Sequence, residues 1–160
     1  MESENQRFMR STQLLRSFWN VQKNLMRFVQ KTAVENGLSV PQYSILMTIA
    51  PHKEMIQKSL GEKTFLPKST LSQAVDGLVQ AGWLNRQQVE GNRREMQLSL
   101  SEKGEIFIKT IQLQEDGVHQ TFQSAVESLT ERQCEELLKA NLQIATYLEA
   151  RATEQGEDTK

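Results

Sequence analysis

The feature that most constrains the fold is a change of hydrophobic period in the middle of the chain. Residues 96–101, MQLSLS, alternate apolar and polar side chains at period two, which is the pattern of a half-buried strand. The stretch WLNRQQV before it is also extended in character, and Gly91 and Asn92 supply turn residues between the two. We therefore predict a β-hairpin with Arg93 and Arg94 at its exposed tip.

Three short helical patterns precede this hairpin. The first opens with Ser39 and Gln42 in the spacing of a capping box and continues as YSILMTIA. The second covers about residues 56–63, and the third lies in LPKSTLSQAVDGLVQAG, where Gly82 is a natural helix stop. The buried stripe of the third consists of Leu71, Ala74, Val75 and Leu78. Three short helices and a hairpin are typical of a winged helix-turn-helix domain, in which the hairpin is the wing.

Long amphipathic patterns flank this region. One runs through residues 14–29 and ends near Gly37, and a second is predicted as one helix from its N-cap Ser101 to about Leu129. A third opens with the capping box Thr130–Gln133 and ends before a polar tail, TEQGEDTK. One 160-residue subunit has no room to bury all three apolar stripes, so we predict a homodimer.

These patterns define a fold class that is mainly α with a small β-hairpin. We predict a winged helix-turn-helix DNA-binding domain over residues 38–100 and a helical dimerisation region formed by residues 1–37 and 101–160. No stretch approaches the roughly 20 apolar residues that span a bilayer. The N-terminus lacks the apolar core of a secretory signal, and a single cysteine gives no internal disulfide. The expectation is a cytoplasmic protein without a membrane partner.

The formal charge of −1 conceals a gradient along the chain. Residues 1–50 carry net charge +3, residues 51–103 carry +2, and residues 104–160 carry −6. The acidity is therefore confined to the C-terminal third. This distribution permits a basic face for a polyanion elsewhere on the molecule, although charge asymmetry of this size is also typical of solvated surface.

Several short motifs follow one another in a set order between residues 38 and 104. They are a Ser-x-x-Gln helix start, a Leu-Gly pair, a Ser-Thr-Leu-Ser helix entry, a Gly-Trp exit, an Arg-bearing wing and a Leu-Ser-x-x-Gly end. The residues are Ser39, Gln42, Leu60, Gly61, Ser69, Thr70, Leu71, Ser72, Gly82, Trp83, Arg94, Leu100, Ser101 and Gly104. Together they resemble the MarR/SlyA family of bacterial transcription regulators. The resemblance implies a dimeric DNA-binding repressor whose operator affinity is lowered by a ligand.

The third short helix and the wing are the predicted DNA-binding elements. Small polar groups opposite the apolar stripe suit hydrogen bonds to phosphates and base edges, and Gln73 would bind adenine through two such bonds. On the wing, an arginine would enter the negative minor groove. The predicted DNA-binding residues are Lys68, Ser69, Thr70, Ser72, Gln73, Asp76, Arg93 and Arg94. The alternative is an ordinary solvated helix face and arginines paired with neighbouring glutamates.

Three positions depart from the family pattern. Gln73 and Gly77 stand where members usually have arginine, and Asn92 stands where they usually have aspartate. These differences would weaken or redirect DNA binding. They also keep open an alternative function, a helical dimer that binds another protein and has lost DNA binding.

The remaining candidate residues concern ligands and chemistry. The aromatic residues Phe18, Trp19 and Tyr43, with His52, would line a pocket for a small aromatic or phenolic ligand of the kind the family often binds, although core packing explains the aromatics equally well. Cys134 is interpreted as a small buried residue that packs in the core, since free cysteines are often buried. We find no metal-ligand spacing, Gly-rich phosphate loop or nucleophile motif, so no metal, cofactor or enzymatic activity is predicted.

Overall fold

The computed structural model describes the backbone of residues 1–158 and the side chains through residue 156. In this part of the chain, helices and strands alternate only in the middle, between long helices at both ends. The elements are α1 (Glu4–Glu35), α2 (Val40–Ile49), β1 (Glu54–Ile56), α3 (Gln57–Thr64), α4 (Lys68–Gln80), β2 (Leu84–Val89), β3 (Asn92–Leu100), α5 (Glu102–Leu113), α6 (Val118–Val126) and α7 (Glu131–Asp158). The mainly helical fold class with its winged helix-turn-helix is confirmed.

The predicted hairpin is part of a three-stranded antiparallel sheet with the order β1-β3-β2. Strand β1 pairs with the far end of β3, where Met55 lies opposite Leu98. We did not predict β1, because three residues are too few to show a period-two pattern. The predicted turn is also shifted by one residue: Glu90 and Gly91 form the turn, Gly91 has a φ of 82°, and Asn92 already belongs to β3.

The chain divides into two compact units, Met1–Gln120 and Thr121–Lys160. The core of the first unit lies between α2, α3, α4 and the sheet, with Ile45, Leu46, Leu60 and Leu78 fully buried. It also includes Ala33 from α1 and three side chains from the far end of this unit. Those three are Ile108, Ile111 and Val118. The winged helix-turn-helix therefore shares one core with the C-terminal end of α1 and with α5.

The predicted helix from Ser101 to Leu129 is wrong as one continuous element. Ser101 does cap its start, since its hydroxyl accepts the Gly104 N–H at 2.9 Å, but the helix stops at Leu113. The chain turns at Gln114–Gly117, where Asp116 adopts a φ of 58°. Polar contacts to the end of α1 hold this turn: the buried Thr32 hydroxyl accepts the Val118 N–H at 3.0 Å.

The Gln114 side chain makes further hydrogen bonds between this turn and the end of α1. Its amide oxygen accepts the Asn36 side-chain N–H at 2.7 Å, and its amide nitrogen donates to a Glu35 carboxylate oxygen at 2.7 Å. The Thr32 bond satisfies the Val118 N–H in place of a backbone carbonyl, and the two Gln114 bonds hold the turn against α1 through side chains. The break is therefore built into the tertiary structure.

Helix α1 carries large apolar side chains that the chain itself leaves exposed. Its predicted stripe is present, but only the C-terminal end of the helix is packed on the core. The exposed members include Leu14, Leu15, Phe18, Trp19, Val21 and Phe28. A single soluble subunit rarely presents so large a contiguous apolar surface, which indicates that α1 has a further partner.

The second unit is described by itself and consists mainly of α7. The predicted capping box is confirmed: Thr130 Oγ1 accepts the Gln133 N–H at 3.1 Å, and Gln133 Oε1 accepts the Thr130 N–H at 2.9 Å. The predicted polar tail does not form a separate segment, because α7 continues to Asp158.

Cys134 was predicted to be buried, but the structure shows it half-buried. Leu138 and Leu142 are exposed on α7.

Candidate nucleic-acid interface

Helix α4 packs on the core through the predicted apolar stripe. Leu71, Val75 and Leu78 are buried, and Gly82 closes the helix with a φ of 83°. Ser69, Gln73 and Asp76 are exposed and recur at steps of four and three, so they share the opposite face of the helix. Thr70 and Ser72 are half-buried at its two edges. The polar surface is therefore presented outward by the packing of α4.

An open cleft of about 750 Å³ separates this helix from α3 and the wing. Three predicted DNA-binding residues, Lys68, Ser72 and Arg94, lie on its walls. The other lining residues are Ile56, Gln57, Lys58, Gly61, Glu62, Leu66, Leu71, Asn92, Glu95 and Met96. The structure thus brings the start of α4 and one wing arginine to a single concave surface, although they are far apart in the sequence.

The charges around this cleft are mixed. Lys58, Lys68 and Arg94 contribute three cations, and Glu62 and Glu95 contribute two carboxylates. The local balance is therefore only slightly positive, and a polyanion would be held by the placement of individual cations and not by a large basic field. Lys58 was missed in the sequence analysis, and the signal that could have found it is its position in the first turn of the second short helix.

The N-termini of α3 and α4 differ from those of four other helices. Helices α1, α2, α5 and α7 begin with a Ser or Thr side chain that accepts a backbone N–H. Helix α3 follows Ile56 and α4 follows Pro67, and neither residue makes a side-chain cap. Each uncapped start carries a lysine, Lys58 or Lys68. Unpaired N–H groups at a helix start, with a cation beside them, suit a bound phosphate.

The two wing arginines line different surfaces of the wing. Arg94 lines the cleft, while Arg93 lines a separate groove at the hairpin tip, and the register of β2 and β3 is irregular at this point. Both are exposed, and among residues 1–156, whose side chains the structure describes, no carboxylate forms an ion pair with either guanidinium. This excludes, in this structure, the alternative in which Glu90 or Glu95 neutralises them.

Asn92 shapes the wing by a backbone contact. Its side-chain oxygen accepts the Arg94 N–H at 3.0 Å, which fixes the chain immediately before the Arg94 side chain. An aspartate would accept the same hydrogen bond. The exchange of aspartate for asparagine therefore preserves this turn and removes one negative charge from the wing.

Asp76 differs from the other predicted contact residues, because it already has a protein partner. Arg86 of β2 donates a hydrogen bond to its carboxylate at 2.7 Å, and this ion pair links α4 to the wing. Arg86 was missed in the sequence analysis, since no local pattern relates a strand residue to a helix residue ten positions earlier. The pair neutralises the one carboxylate on the outward face of α4.

Gly77 lies against helix α2 and not on the outward face. A Cβ added at this position would meet the side-chain nitrogen of Gln42 at 2.5 Å. Gln42 is held there by the α2 capping box, in which its side-chain oxygen accepts the Ser39 N–H at 3.0 Å. The glycine therefore leaves room for the Gln42 side chain, and an arginine at this position would require that side chain to move.

The four predicted ligand-binding residues differ in environment. Phe18 and Trp19 are exposed on α1, and His52 is exposed in the turn after α2. Tyr43 is buried, and its hydroxyl oxygen lies 2.9 Å from Nε2 of His119. Burial raises the pKa of Tyr43 and lowers the pKa of His119, so both groups are held neutral.

The part of the chain that the structure describes has no helix long and apolar enough to cross a membrane. Within the same residues, no group of three His, Cys, Asp or Glu side chains could hold a metal ion.

Comparison with known proteins gives the following relatives. The chain is 31% identical over 94 residues to the HTH-type transcriptional regulator SarZ of Staphylococcus epidermidis, which covers 59% of this chain and 64% of SarZ. The alignment thus spans slightly less than two thirds of that relative. Two solved structures are similar at 20% identity: overoxidized AbfR of Staphylococcus epidermidis bound to DNA, and NadR in complex with 4-hydroxyphenylacetate.

At this identity the two structures show the fold alone. AbfR has a TM-score of 0.62, with 91% of this chain and 99% of AbfR covered, and NadR has a TM-score of 0.69, with 81% and 89% covered. The similarity in sequence lies in the winged helix-turn-helix, because residues 38–96 match the MarR family. Through this domain, the chain is similar to the MarR family.

Proposed function

We propose that the protein is a homodimeric, sequence-specific DNA-binding transcriptional regulator that represses from a pseudo-palindromic operator and is released by a small ligand. The observation that carries the DNA-binding part is the cleft between α3, α4 and the wing. Two uncapped, lysine-bearing helix starts and the unpaired Arg94 are directed to this one surface. Such a surface is complementary to the phosphates and groove edges of duplex DNA.

Within this proposal each predicted contact residue has a separate role. Lys68, with the first N–H groups of α4, binds a phosphate, while Ser69, Thr70 and Ser72 hydrogen-bond to the backbone or to base edges. Gln73 is exposed at the centre of the outward face and reads a base pair. Asp76 is a positioning residue, since its carboxylate is occupied by Arg86.

The two wing arginines have different roles because they line different surfaces. Arg94 enters the minor groove from the cleft side of the wing. Arg93 lines the groove at the hairpin tip and contributes charge there.

A second copy of the chain is the proposed partner of the exposed apolar surfaces. The α1 stripe alone includes Trp19 at 59% exposure and Leu14 at 51%. A symmetric dimer would cover such a surface and present two winged domains to half-sites about 34–36 Å apart. Light scattering at micromolar concentration should therefore give twice the mass of 18.4 kDa. A monomeric mass would contradict this part of the proposal.

The ligand is proposed to be a small aromatic or phenolic acid. NadR, a protein of the same fold, was solved with 4-hydroxyphenylacetate, and the predicted residues Phe18, Trp19, Tyr43 and His52 include aromatic surface and hydrogen-bonding groups. This compound is the first probe, since a specific ligand raises the unfolding temperature and should lower operator affinity at the same concentration. As a control, Trp19→Ala should reduce both effects together. If the compound changes neither the unfolding temperature nor the operator affinity, this ligand class is wrong.

The DNA-binding part is tested by anisotropy titration of a labelled duplex over a series of salt concentrations. Binding to a random duplex should weaken steeply with salt, and selection from a random pool should then yield a pseudo-palindromic operator. Arg94→Ala should weaken operator binding and make the salt dependence shallower by up to about 1–2 units for two wings. Gln73→Ala should relax preference at one base pair per half-site at about 1–3 kcal/mol, with the salt slope unchanged.

Arg93→Ala is the matched control for Arg94→Ala, because it removes the same charge from a neighbouring residue that does not line the cleft. The Arg93 variant should lose less affinity than the Arg94 variant, and the double variant should lose more than either single one. If the double variant keeps both affinity and salt slope, the wing does not contact DNA. A protein-binding module without DNA binding then becomes the better interpretation.

A further inference from the structure

The turn between α3 and α4 exposes a large aromatic side chain in an unfavourable backbone conformation. Phe65 ends α3 with φ 56° and ψ 22°, in the left-handed region that glycine and asparagine adopt most readily. Its N–H donates to the Gly61 carbonyl at 3.0 Å, which fixes this conformation at the helix end. The side chain is 88% exposed, so burial within this chain does not compensate for the backbone.

The neighbouring residue explains why Phe65 faces outward. Leu66 is half-buried, packs against the core and lines the cleft beside α4. Because Leu66 anchors the turn from inside, the left-handed residue before it directs its ring into solvent. An exposed aromatic in a strained conformation is a feature that a contact with another molecule would account for.

The position of the turn identifies that molecule. In a helix-turn-helix, the first helix crosses the DNA backbone and the start of the second enters the major groove, so the turn between them lies at the edge of that groove. Here the turn is flanked by Lys63 at the end of α3 and Lys68 at the start of α4, both exposed. An apolar ring between two cations matches a groove edge, where phosphates flank the apolar C5-methyl groups of thymine.

We propose that Phe65 is a specificity-determining residue that contacts a thymine methyl group at the edge of the major groove in each half-site. This inference rests on the proposed DNA-binding function and adds a base preference that hydrogen-bonding residues on α4 do not supply. Removal of one contacted methyl group should weaken binding about fourfold, the effect expected for one buried apolar carbon.

The test uses the full-length protein and a duplex that it selects from a random pool, synthesised once with thymine and then with uracil at single positions. Uracil lacks only the methyl group, so base pairing and charge are unchanged. Wild type should bind about fourfold more weakly when uracil replaces one particular thymine of a half-site. Phe65→Gly and Phe65→Asn should bind the thymine and uracil duplexes equally, and both residues accept the backbone conformation of this turn.

Lys63→Ala is the matched control from the same turn. It should reduce affinity for both duplexes and the salt slope while it leaves the thymine preference intact. If wild type shows no uracil-sensitive position, or if Phe65→Gly and Phe65→Asn keep that sensitivity, the Phe65 contact is refuted while DNA binding stands. If wild type binds no duplex in a salt-dependent manner, the proposed function fails and the Phe65 contact fails with it.

Discussion

Replacement of Gly77 by alanine tests whether the close approach of α2 and α4 is as tight as the structure indicates. In a helix interior this exchange normally raises the free energy of unfolding by about 1 kcal/mol. Here the new Cβ would lie 2.5 Å from the side-chain nitrogen of Gln42, so that side chain must move. Its movement breaks the hydrogen bond in which Gln42 accepts the Ser39 N–H.

The size of the effect follows from these two opposing contributions. A lost capping interaction lowers the free energy of unfolding by about 0.5–2 kcal/mol, which offsets the gain in helix propensity. Gly77→Ala in the wild-type background should therefore change the free energy of unfolding by between about +0.5 and −1 kcal/mol. In a Gln42→Ala background nothing obstructs the Cβ, and the same exchange should stabilise by about 1 kcal/mol.

The assay is a double-mutant cycle measured by urea unfolding at one fixed protein concentration, because the stability of an oligomer depends on concentration. Gly156→Ala is the control, since a Cβ there meets no atom within 4 Å and its effect should not depend on Gln42. An equal stabilisation by Gly77→Ala in both backgrounds would refute the reasoning. It would show that Gln42 can leave its position without loss of the cap.

Three further measurements test other contacts. Thr32→Val removes the buried acceptor of the Val118 N–H and should lower the free energy of unfolding, measured by urea unfolding, by about 1–3 kcal/mol. Thr32→Ser keeps the hydroxyl and should therefore keep most of the wild-type stability. Burial lowers the pKa of His119 below its ordinary value of 6.5, so the unfolded chain binds a proton at this residue more readily than the folded protein does. The free energy of unfolding should therefore fall as the pH falls below 6.5. Unfolding temperatures measured from pH 8 to pH 5 should fall more for wild type than for His119→Gln. Cys134→Ser should change stability by about 1 kcal/mol or less and leave DNA release by oxidants unaltered.

The elements that the sequence predicted well are those whose signals are local. The capping boxes at Ser39 and Thr130, the N-cap at Ser101 and the helix stop at Gly82 each depend on residues within four positions of one another. The hairpin was found because residues 96–101 alternate apolar and polar side chains and Gly91 supplies a turn residue. Features of this kind are determined by backbone geometry before any tertiary contact forms.

The elements that were missed depend on contacts distant in sequence. The apolar positions Ile111, Val118 and Phe122 stay in helical phase across the break, so the pattern predicted one helix. The Asp116-Gly117 pair is a turn signal that the periodicity outweighed. The turn is fixed by Thr32, 86 residues away, and no pattern around residue 116 contains that information.

The candidate site shows the same difference between local and distant signals. The outward face of α4 could be predicted from the helical spacing of its apolar stripe, and the exposure of the two arginines could be predicted from their position at the hairpin tip. The different surfaces that Arg93 and Arg94 line could not be predicted, because the register of β2 and β3 is irregular between Gln88 and Val89. The pair formed by Asp76 and Arg86 joins a helix to a strand and required the structure.

The three departures from the family pattern have different physical consequences, and two of them, Gln73 and Asn92, change the outward surface. Gly77 lies against the Gln42 side chain of α2, so the missing arginine there removes no group from the face of α4 that carries Gln73. Asn92 keeps the backbone hydrogen bond that shapes the wing and removes a carboxylate near Arg94, which favours an approaching phosphate. Gln73 alone replaces a charged contact with a neutral one that can distinguish bases. The departures therefore argue for a different operator sequence and not for the loss of DNA binding.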